Sequence, residues 1–210
     1  MIFYDFEVFK YDWMVVFIDV DTKTTTTIVN DKEALEEFYN TNRERIHVGY
    51  NSRNYDQWIY KGILAGFDPK KINDFIIVKG RKGWEFSNVL RRFNFVNYDI
   101  FQNIDRGLKF FEGSLGNDIR ETTVPFDIDR KLTDSEIAEV VRYCAHDVEQ
   151  TIEVFLERKA DFEAQMGLLK MFDLPLSDLG KTKPQLSAKI LGASRRTYND
   201  EFDIDIPETL

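Results

Sequence analysis

Apolar and polar residues alternate from the start of the chain. Ile2, Tyr4, Phe6 and Val8 fall on one side of an extended segment, and Phe3, Asp5, Glu7 and Phe9 on the other. That period of two predicts a strand over residues 2–8. A second strand at about Trp13–Asp19 and a third through the β-branched run Lys23–Val29 follow, with Val20-Asp21-Thr22 as the turn between them. Three consecutive strands joined by short turns predict an antiparallel meander. Asn30-Asp31-Lys32-Glu33 then reads as a helix start, with Ala34, Leu35 and Phe38 as an apolar stripe. Ile46–Tyr50 predicts a short strand, and residues from about Tyr55 to Ala65 a helix that stops at Gly66 and Pro69.

Residues 70–100 are mixed, with strand-like Asp74–Lys79 and Phe95–Ile100 around a basic turn containing Gly80 and Gly83. A helix follows around Gly107–Leu115. Thr133-Asp134-Ser135-Glu136 is a capping box, whose hydroxyl and carboxylate satisfy free backbone donors at a helix start. Helical periodicity continues through Ile137, Val140, Val141, Cys144, Val148, Ile152 and Phe155, then weakens but stays helical to about Met171. Pro175 and Gly180 break it, and Pro184 opens a final helix ahead of the acidic tail Asn199–Leu210. The β-β-β-α-β-α order, closing on a long helix, predicts an α/β fold of ribonuclease-H-like type. Its mixed sheet (antiparallel meander plus parallel strands) is expected to be flanked by helices. Residues 1–160 are expected to carry that fold, and residues 161–210 to form a helical extension.

At 210 residues, 43% of them hydrophobic, the chain can bury one large domain, or one domain plus an appendage. No apolar run approaches the roughly 20 residues that span a bilayer. The N-terminus lacks the positive flank and the small-residue cleavage site of a signal peptide. A soluble, cytoplasmic protein with no membrane partner is expected. The lone Cys144 excludes an internal disulfide and a cysteine-built zinc site. A net charge of −9 argues against a nucleic-acid partner. The objection weakens if carboxylates are gathered to hold divalent metals, which then meet the phosphate. Basic residues are also unevenly spread. Lys79, Arg81, Lys82, Arg91, Arg92, Arg106 and Lys109 fall in one stretch, and Lys181, Lys183, Lys189, Arg195 and Arg196 in another. Either group is more often than not an ordinary solvated face.

Three small constellations carry candidate chemistry. Asp5 and Glu7 are two apart on a strand and share the face that bears Phe3 and Phe9, so two like charges lie in apolar surroundings. Bridging metal ions are the common remedy, although a bare Asp-x-Glu is usually a solvated edge strand. Asn51-Ser52-Arg53-Asn54-Tyr55-Asp56 follows a strand, with Asn51 at the strand end and Asp56 near the next helix start. A favourable interaction with the helix dipole explains Asp56 about as well as function does. Tyr143 and Asp147 are four apart on the long helix, stacked on one face beside the stripe through Val140 and Cys144. A Tyr–Asp hydrogen bond or a distant arginine would satisfy that pair. His146, next to Asp147, is expected on the helix surface.

Taken in order, Asp-x-Glu, Asn-x-x-x-Tyr-Asp and Tyr-x-x-x-Asp resemble the three motifs of the DEDD superfamily of 3′→5′ exonucleases, in its tyrosine-bearing subgroup. The histidine of the sister subgroup would fall at Arg142, so His146 is not that base. Asp99-Ile100-Phe101, Gly107-Leu108-Lys109 and Asp118-Ile119-Arg120-Glu121-Thr122 further resemble the proofreading exonuclease portion of bacteriophage DNA polymerases. A polymerase domain follows the exonuclease in those proteins, so the C-terminal extension is expected to link to one in a parent chain, or the nuclease stands alone.

The resemblance implies hydrolysis of terminal DNA phosphodiester bonds by two divalent ions, Mg²⁺ or Mn²⁺, one activating water and the other stabilising the leaving 3′-oxygen. It implies Asp5, Glu7, Asp56 and Asp147 as metal ligands, with Asp5 shared by both ions and Asp56 acting largely through water. Tyr143 would orient the attacking water, since a phenol is a poor base at neutral pH. Asn51 and the backbone at Phe6 would hold the terminal nucleotide of a single-stranded DNA 3′ end. Tyr55 or Phe101 would stack on unpaired bases. Two alternatives stay open: an exoribonuclease of the same superfamily, since nothing in these motifs reads a 2′-hydroxyl, and a silent nucleic-acid-binding module.

Overall fold

The computed structural model describes residues 1–101 and 106–193. The acidic tail Asn199–Leu210, Arg195 and Arg196 lie outside the described residues. Strand β1 (Ile2–Val8) pairs antiparallel with β2 (Trp13–Asp19), and β2 pairs antiparallel with β3 (Thr24–Val29). On its other side β1 runs parallel to β4 (Ile46–Gly49), which runs parallel to β5 (Val96–Asp99). The resulting sheet has the order β3-β2-β1-β4-β5. This mixed sheet flanked by helices is consistent with a ribonuclease-H-like arrangement, and β1 lies at its centre.

The alternation read from residues 2–9 places the two layers. Ile2, Tyr4, Phe6 and Val8 join Trp13, Val15 and Phe17 of β2 in one core. That face is covered by α1 (Lys32–Asn42) through Leu35 and Tyr39, and by α2 (Asp56–Leu64) through Ile59, Tyr60 and Ile63. Asp31 caps α1 by accepting the Ala34 N–H at 2.9 Å, as the Asn30–Glu33 signal implies. Tyr4 and Tyr60 bring aromatic rings from β1 and α2 to a centroid distance of 6.3 Å.

The opposite face meets the long helix α5 (Asp134–Glu157), which packs on β1 and β2. Its start is the expected capping box, with Thr133 and Glu136 each accepting the other's backbone N–H. Phe9 and Met14 cluster with Val140 near that start, and Phe3 meets Phe155 edge-on at 5.3 Å towards the other end. Strand and helix therefore run alongside each other with Asp5 and Glu7 between those apolar contacts. Asp12, in the β1–β2 turn, is buried and accepts the Leu132 N–H at 2.8 Å and Asn30 Nδ2 at 2.7 Å, which ties the hairpin to the lead-in of α5.

Short helix α3 (Pro69–Asn73) follows α2, and α4 (Leu108–Leu115) packs on α5. Helix α6 (Lys159–Met171) follows α5 and belongs with the sheet to the compact unit Met1–Gly180. A second unit begins at Lys181; within it α7 (Lys183–Ile190) is capped by Thr182 and carries Pro184 in its first turn. Among the described residues no helix is long and apolar enough to cross a membrane.

One element departs from the sequence expectation. Asp74–Val78, read as strand-like from its β-branched run, is a π-helical turn continuing directly from α3. Among the described residues no strand of the sheet pairs with it. The Lys70–Asp74 ion pair at 2.5 Å and the Lys79 N–H to Asp74 carbonyl bond at 3.0 Å hold it coiled.

Asp12→Ala is expected to lower stability by about 3 kcal/mol, because it strands the buried Leu132 N–H and removes two bonds to a charged acceptor. The midpoint of thermal unfolding measures it; a midpoint equal to wild type contradicts the tie.

Candidate metal centre

Packing of α5 on β1 draws carboxylates together. Asp5, Glu7 and Asp147 each place an oxygen within 4.8 Å of the others, a spacing suited to a shared cation. They line a cleft of about 340 Å³ together with Phe6, Asn51, Tyr55, Asp56, Asn73 and Ile77, among others. Asp56 thus joins the cleft without belonging to the tight trio. Its Oδ1 accepts the Phe6 N–H at 3.2 Å, which fixes the first residue of α2 against β1. The Phe6 amide is therefore engaged by Asp56 in this state. A larger hollow of about 620 Å³ lies between β3 and α1, lined by Thr24, Thr26, Phe38 and Arg45. Its charged groups are Glu37 and the paired Arg45 and Asp19, so volume does not mark the chemistry here.

The turn leading to Asp56 is built by a close backbone approach. A Cβ on Gly49 would stand 2.6 Å from that of Ser52, so only glycine lets the chain fold back there. Asn51 follows with φ of +59°, a left-handed conformation that asparagine tolerates. Its side chain accepts Asn54 Nδ2 at 2.7 Å. Buried Asp99, at the end of β5, accepts the Arg53 N–H at 3.0 Å and the Phe101 N–H at 2.9 Å. Tyr55 donates its hydroxyl to Asn73 at 2.8 Å, and Phe101 lies edge-on to Tyr50 at 5.7 Å.

Tyr143 and Asp147 share one face of α5, and Tyr143 is only partly buried. Lys109 of α4 completes this side of the site. Its Nζ lies 2.7 Å from Asp147 Oδ1, 3.1 Å from Glu112 Oε1 and 4.8 Å from the Tyr143 ring centroid. In the sequence Lys109 stands in the Gly107-Leu108-Lys109 segment and in a basic group, and neither reveals that it reaches Asp147. The buried Cys144 thiol donates to the Asp5 carbonyl at 3.3 Å and faces Asp5 Oδ2 at 3.7 Å. His146 is a correction: it is 7% exposed, not on the helix surface, because α4 covers that side of α5. Its Nε2 lies 3.9 Å from Oε2 of the fully buried Glu112.

The electrostatics follow from this crowding. Burial, then the charges of Asp56, Glu7 and Asp147, push the Asp5 carboxyl well above the usual range. Glu7 rises likewise through burial and then Asp147 and Asp56, with Lys109 opposing. Burial raises Asp147 despite its bond to Lys109. Asp56 is pushed up to about 7, chiefly by burial and against its backbone hydrogen bonds. Burial and then the Asp147 and Glu7 charges hold the Tyr143 phenol protonated far above neutral pH. Cys144 is kept a thiol in the same way, by burial and then the Asp5 charge. An all-oxygen donor set with excess negative charge and room in front of it fits a hard divalent cation. No family model, curated protein or solved structure matches the chain.

A carboxyl that binds its proton more tightly in the fold than in the unfolded chain stabilises the fold fully at low pH. That contribution is lost as pH rises through the folded value, here about 7 for Asp56. His47, held neutral by burial with its value down at about 4, acts in the opposite sense over part of the same window. Substitution isolates the Asp56 share. With chelator present, Asp56→Asn is expected to melt several degrees above wild type at pH 8, the gain fading towards pH 4. A gain that is absent at pH 8, or that grows as pH falls, contradicts the sign.

Proposed function

We propose that the chain is a metal-dependent 3′→5′ exonuclease that hydrolyses the terminal phosphodiester bond of single-stranded or frayed DNA. The observation that carries this reading is the clustering of Asp5, Glu7 and Asp147 oxygens within 4.8 Å in an open cleft, with Tyr143 on the next turn of the helix that supplies Asp147. The order of the three motifs supports it. The likeness of Asp99-Ile100-Phe101, Gly107-Leu108-Lys109 and Asp118-Ile119-Arg120-Glu121-Thr122 to phage proofreading domains supports the further reading of a phage-type polymerase's proofreading domain, acting on a DNA 3′ end.

Asp5, Glu7 and Asp147 would hold divalent ions, Mg²⁺ or Mn²⁺, with Asp56 at their side. When bound, such ions supply Lewis acidity and positive charge at the scissile phosphate. The remaining work falls to the chain. The protonated Tyr143 hydroxyl donates a hydrogen bond rather than removing a proton, so it orients the attacking water. Lys109 offsets the negative charge around Asp147 and holds that carboxylate in register with Tyr143. Asp56 and the Phe6 amide fix the floor of the cleft, and Asn51 and Tyr55 form the wall that meets the last nucleotide. Water adds across the bond between phosphorus and the 3′-oxygen, releasing a nucleoside 5′-monophosphate and leaving a new 3′-hydroxyl.

A 5′-labelled DNA oligomer is expected to shorten stepwise from its 3′ end in Mg²⁺ or Mn²⁺ and to stay intact in chelator. A matched RNA oligomer separates deoxyribonuclease from exoribonuclease. Asp5→Ala and Asp147→Ala should each slow the ladder by at least about a hundredfold, which is about 2.7 kcal/mol of lost transition-state stabilisation. Residual activity above about a hundredth in either variant contradicts the assignment. Tyr143→Phe is expected to slow turnover by roughly tenfold to a hundredfold with metal affinity retained. Loss of metal affinity in that variant would overturn the water-orienting role.

A further inference from the structure

Ile77 and Val78 are side chains that proteins ordinarily bury, yet 64% and 74% of their surface faces solvent. Both sit on the π-helical turn Asp74–Val78, a rare backbone form frequently found at functional sites. Ile77 lines the same cleft as Asp5, Glu7 and Asp147, and exposed Val78 is the next residue in the chain. Basic residues come next in the chain. Lys79, Arg81 and Lys82 are all exposed, and Gly80 turns the backbone between them with φ of +61°. Trp84 follows, 41% exposed, with the Lys82 ammonium 6.0 Å from its ring centroid. Arg81 is engaged by Glu85 at 3.0 Å, which leaves Lys79 and Lys82 as the cations best placed for a ligand.

Along the chain from Ile77, the exposed residues change from apolar to basic and then to aromatic. That sequence matches a polymer with alternating apolar faces and negative charges. The faces of nucleobases are open only when unpaired, because a duplex stacks them against their neighbours. Base contact with aromatic side chains is sequence-tolerant, aliphatic side chains offer base faces apolar surface to cover, and lysines along a strand neutralise its phosphates. The acidic floor of the cleft repels such a polymer, so a basic approach is needed to bring its end in.

We propose that residues 74–84 form a clamp for single-stranded nucleic acid. Unpaired bases pack on Ile77 and Val78, and the backbone phosphates lie along Lys79 and Lys82. The orientation of the strand, with its 3′ end in the cleft, rests on the exonuclease reading. The clamp itself rests on the exposed apolar pair and the adjacent lysines.

Fluorescence anisotropy with a 12-nucleotide single strand and a blunt duplex tests it, in Ca²⁺, a hard cation that carboxylates accept. The single strand should bind at least tenfold tighter than the duplex. Ile77→Ser/Val78→Ser should weaken that binding at least tenfold without changing the slope of log Kd against log salt. Lys79→Glu/Lys82→Glu should weaken it and reduce the slope by about one to two, the loss of one or two phosphate contacts. All four positions are exposed, and unfolding midpoints within about two degrees of wild type confirm intact folds. Wild-type affinity in both variants, or equal binding of strand and duplex, overturns the clamp. Hydrolysis of p-nitrophenyl thymidine 5′-phosphate by the wild-type protein in Mn²⁺ reports on the cleft separately. If that ester stays intact while the variants lose binding, the exonuclease reading falls and the clamp stands. If it is hydrolysed while the variants bind normally, the clamp alone falls.

Discussion

The centre of the molecule is a repulsion held in place by packing. Asp5 and Glu7 point from the middle strand of the sheet towards a helix that brings Asp147, and all three are wholly or partly buried. Left alone, like charges in such surroundings separate or take up protons, and the upward-shifted carboxyls are the second response. The apolar contacts on either side, Phe9 and Met14 with Val140 and Phe3 with Phe155, prevent the first. A strand and a helix locked at both ends cannot move apart at their middle. The fold therefore stores an unfavourable arrangement at one place, the usual condition for a site whose partner is a cation.

Several partial remedies surround the trio without removing its charge. Lys109 reaches Asp147 from α4, Cys144 offers a thiol to Asp5, and the Phe6 amide meets Asp56. Each donor touches a different carboxylate. None stands at a point shared by all three, so the space among Asp5, Glu7 and Asp147 stays rich in acceptors. Lys109 matters most in this balance, being a full charge on the side of Tyr143. The same helix buries Glu112 and His146 behind it, which makes the support of Asp147 two residues deep.

Much of the framework was legible in the chain because its signals are local. The period of two in residues 2–9 fixes which side chains face which layer, and that alone places Asp5 and Glu7 opposite Phe6. The capping box at Thr133 locates the start of α5, and the spacing of four then puts Tyr143 and Asp147 on one face. What escaped depends on tertiary neighbours. The run Asp74–Val78 carries a strand's residues, but among the described residues no strand pairs with it, and it coils. His146 looked solvent-facing because nothing in the periodicity of α5 reveals that α4 covers it. Lys109 belongs to the Gly107-Leu108-Lys109 segment, but only the packing of α4 on α5 shows that it reaches Asp147. Asp99 heads the Asp99-Ile100-Phe101 segment in the sequence, but its hold on the turn that carries Asp56 is visible only in the fold.

The most direct measurement is calorimetric titration of Mn²⁺ into the metal-free protein near pH 7, in two buffers of different ionisation enthalpy. Carboxyls that hold protons near neutrality must release them when a cation takes their place. Saturable binding with net proton release, lost in Asp5→Asn, is the expected result. Absence of saturable binding, or binding that leaves Asp5→Asn unaffected and releases no protons, would show that this cluster was not assembled around a metal.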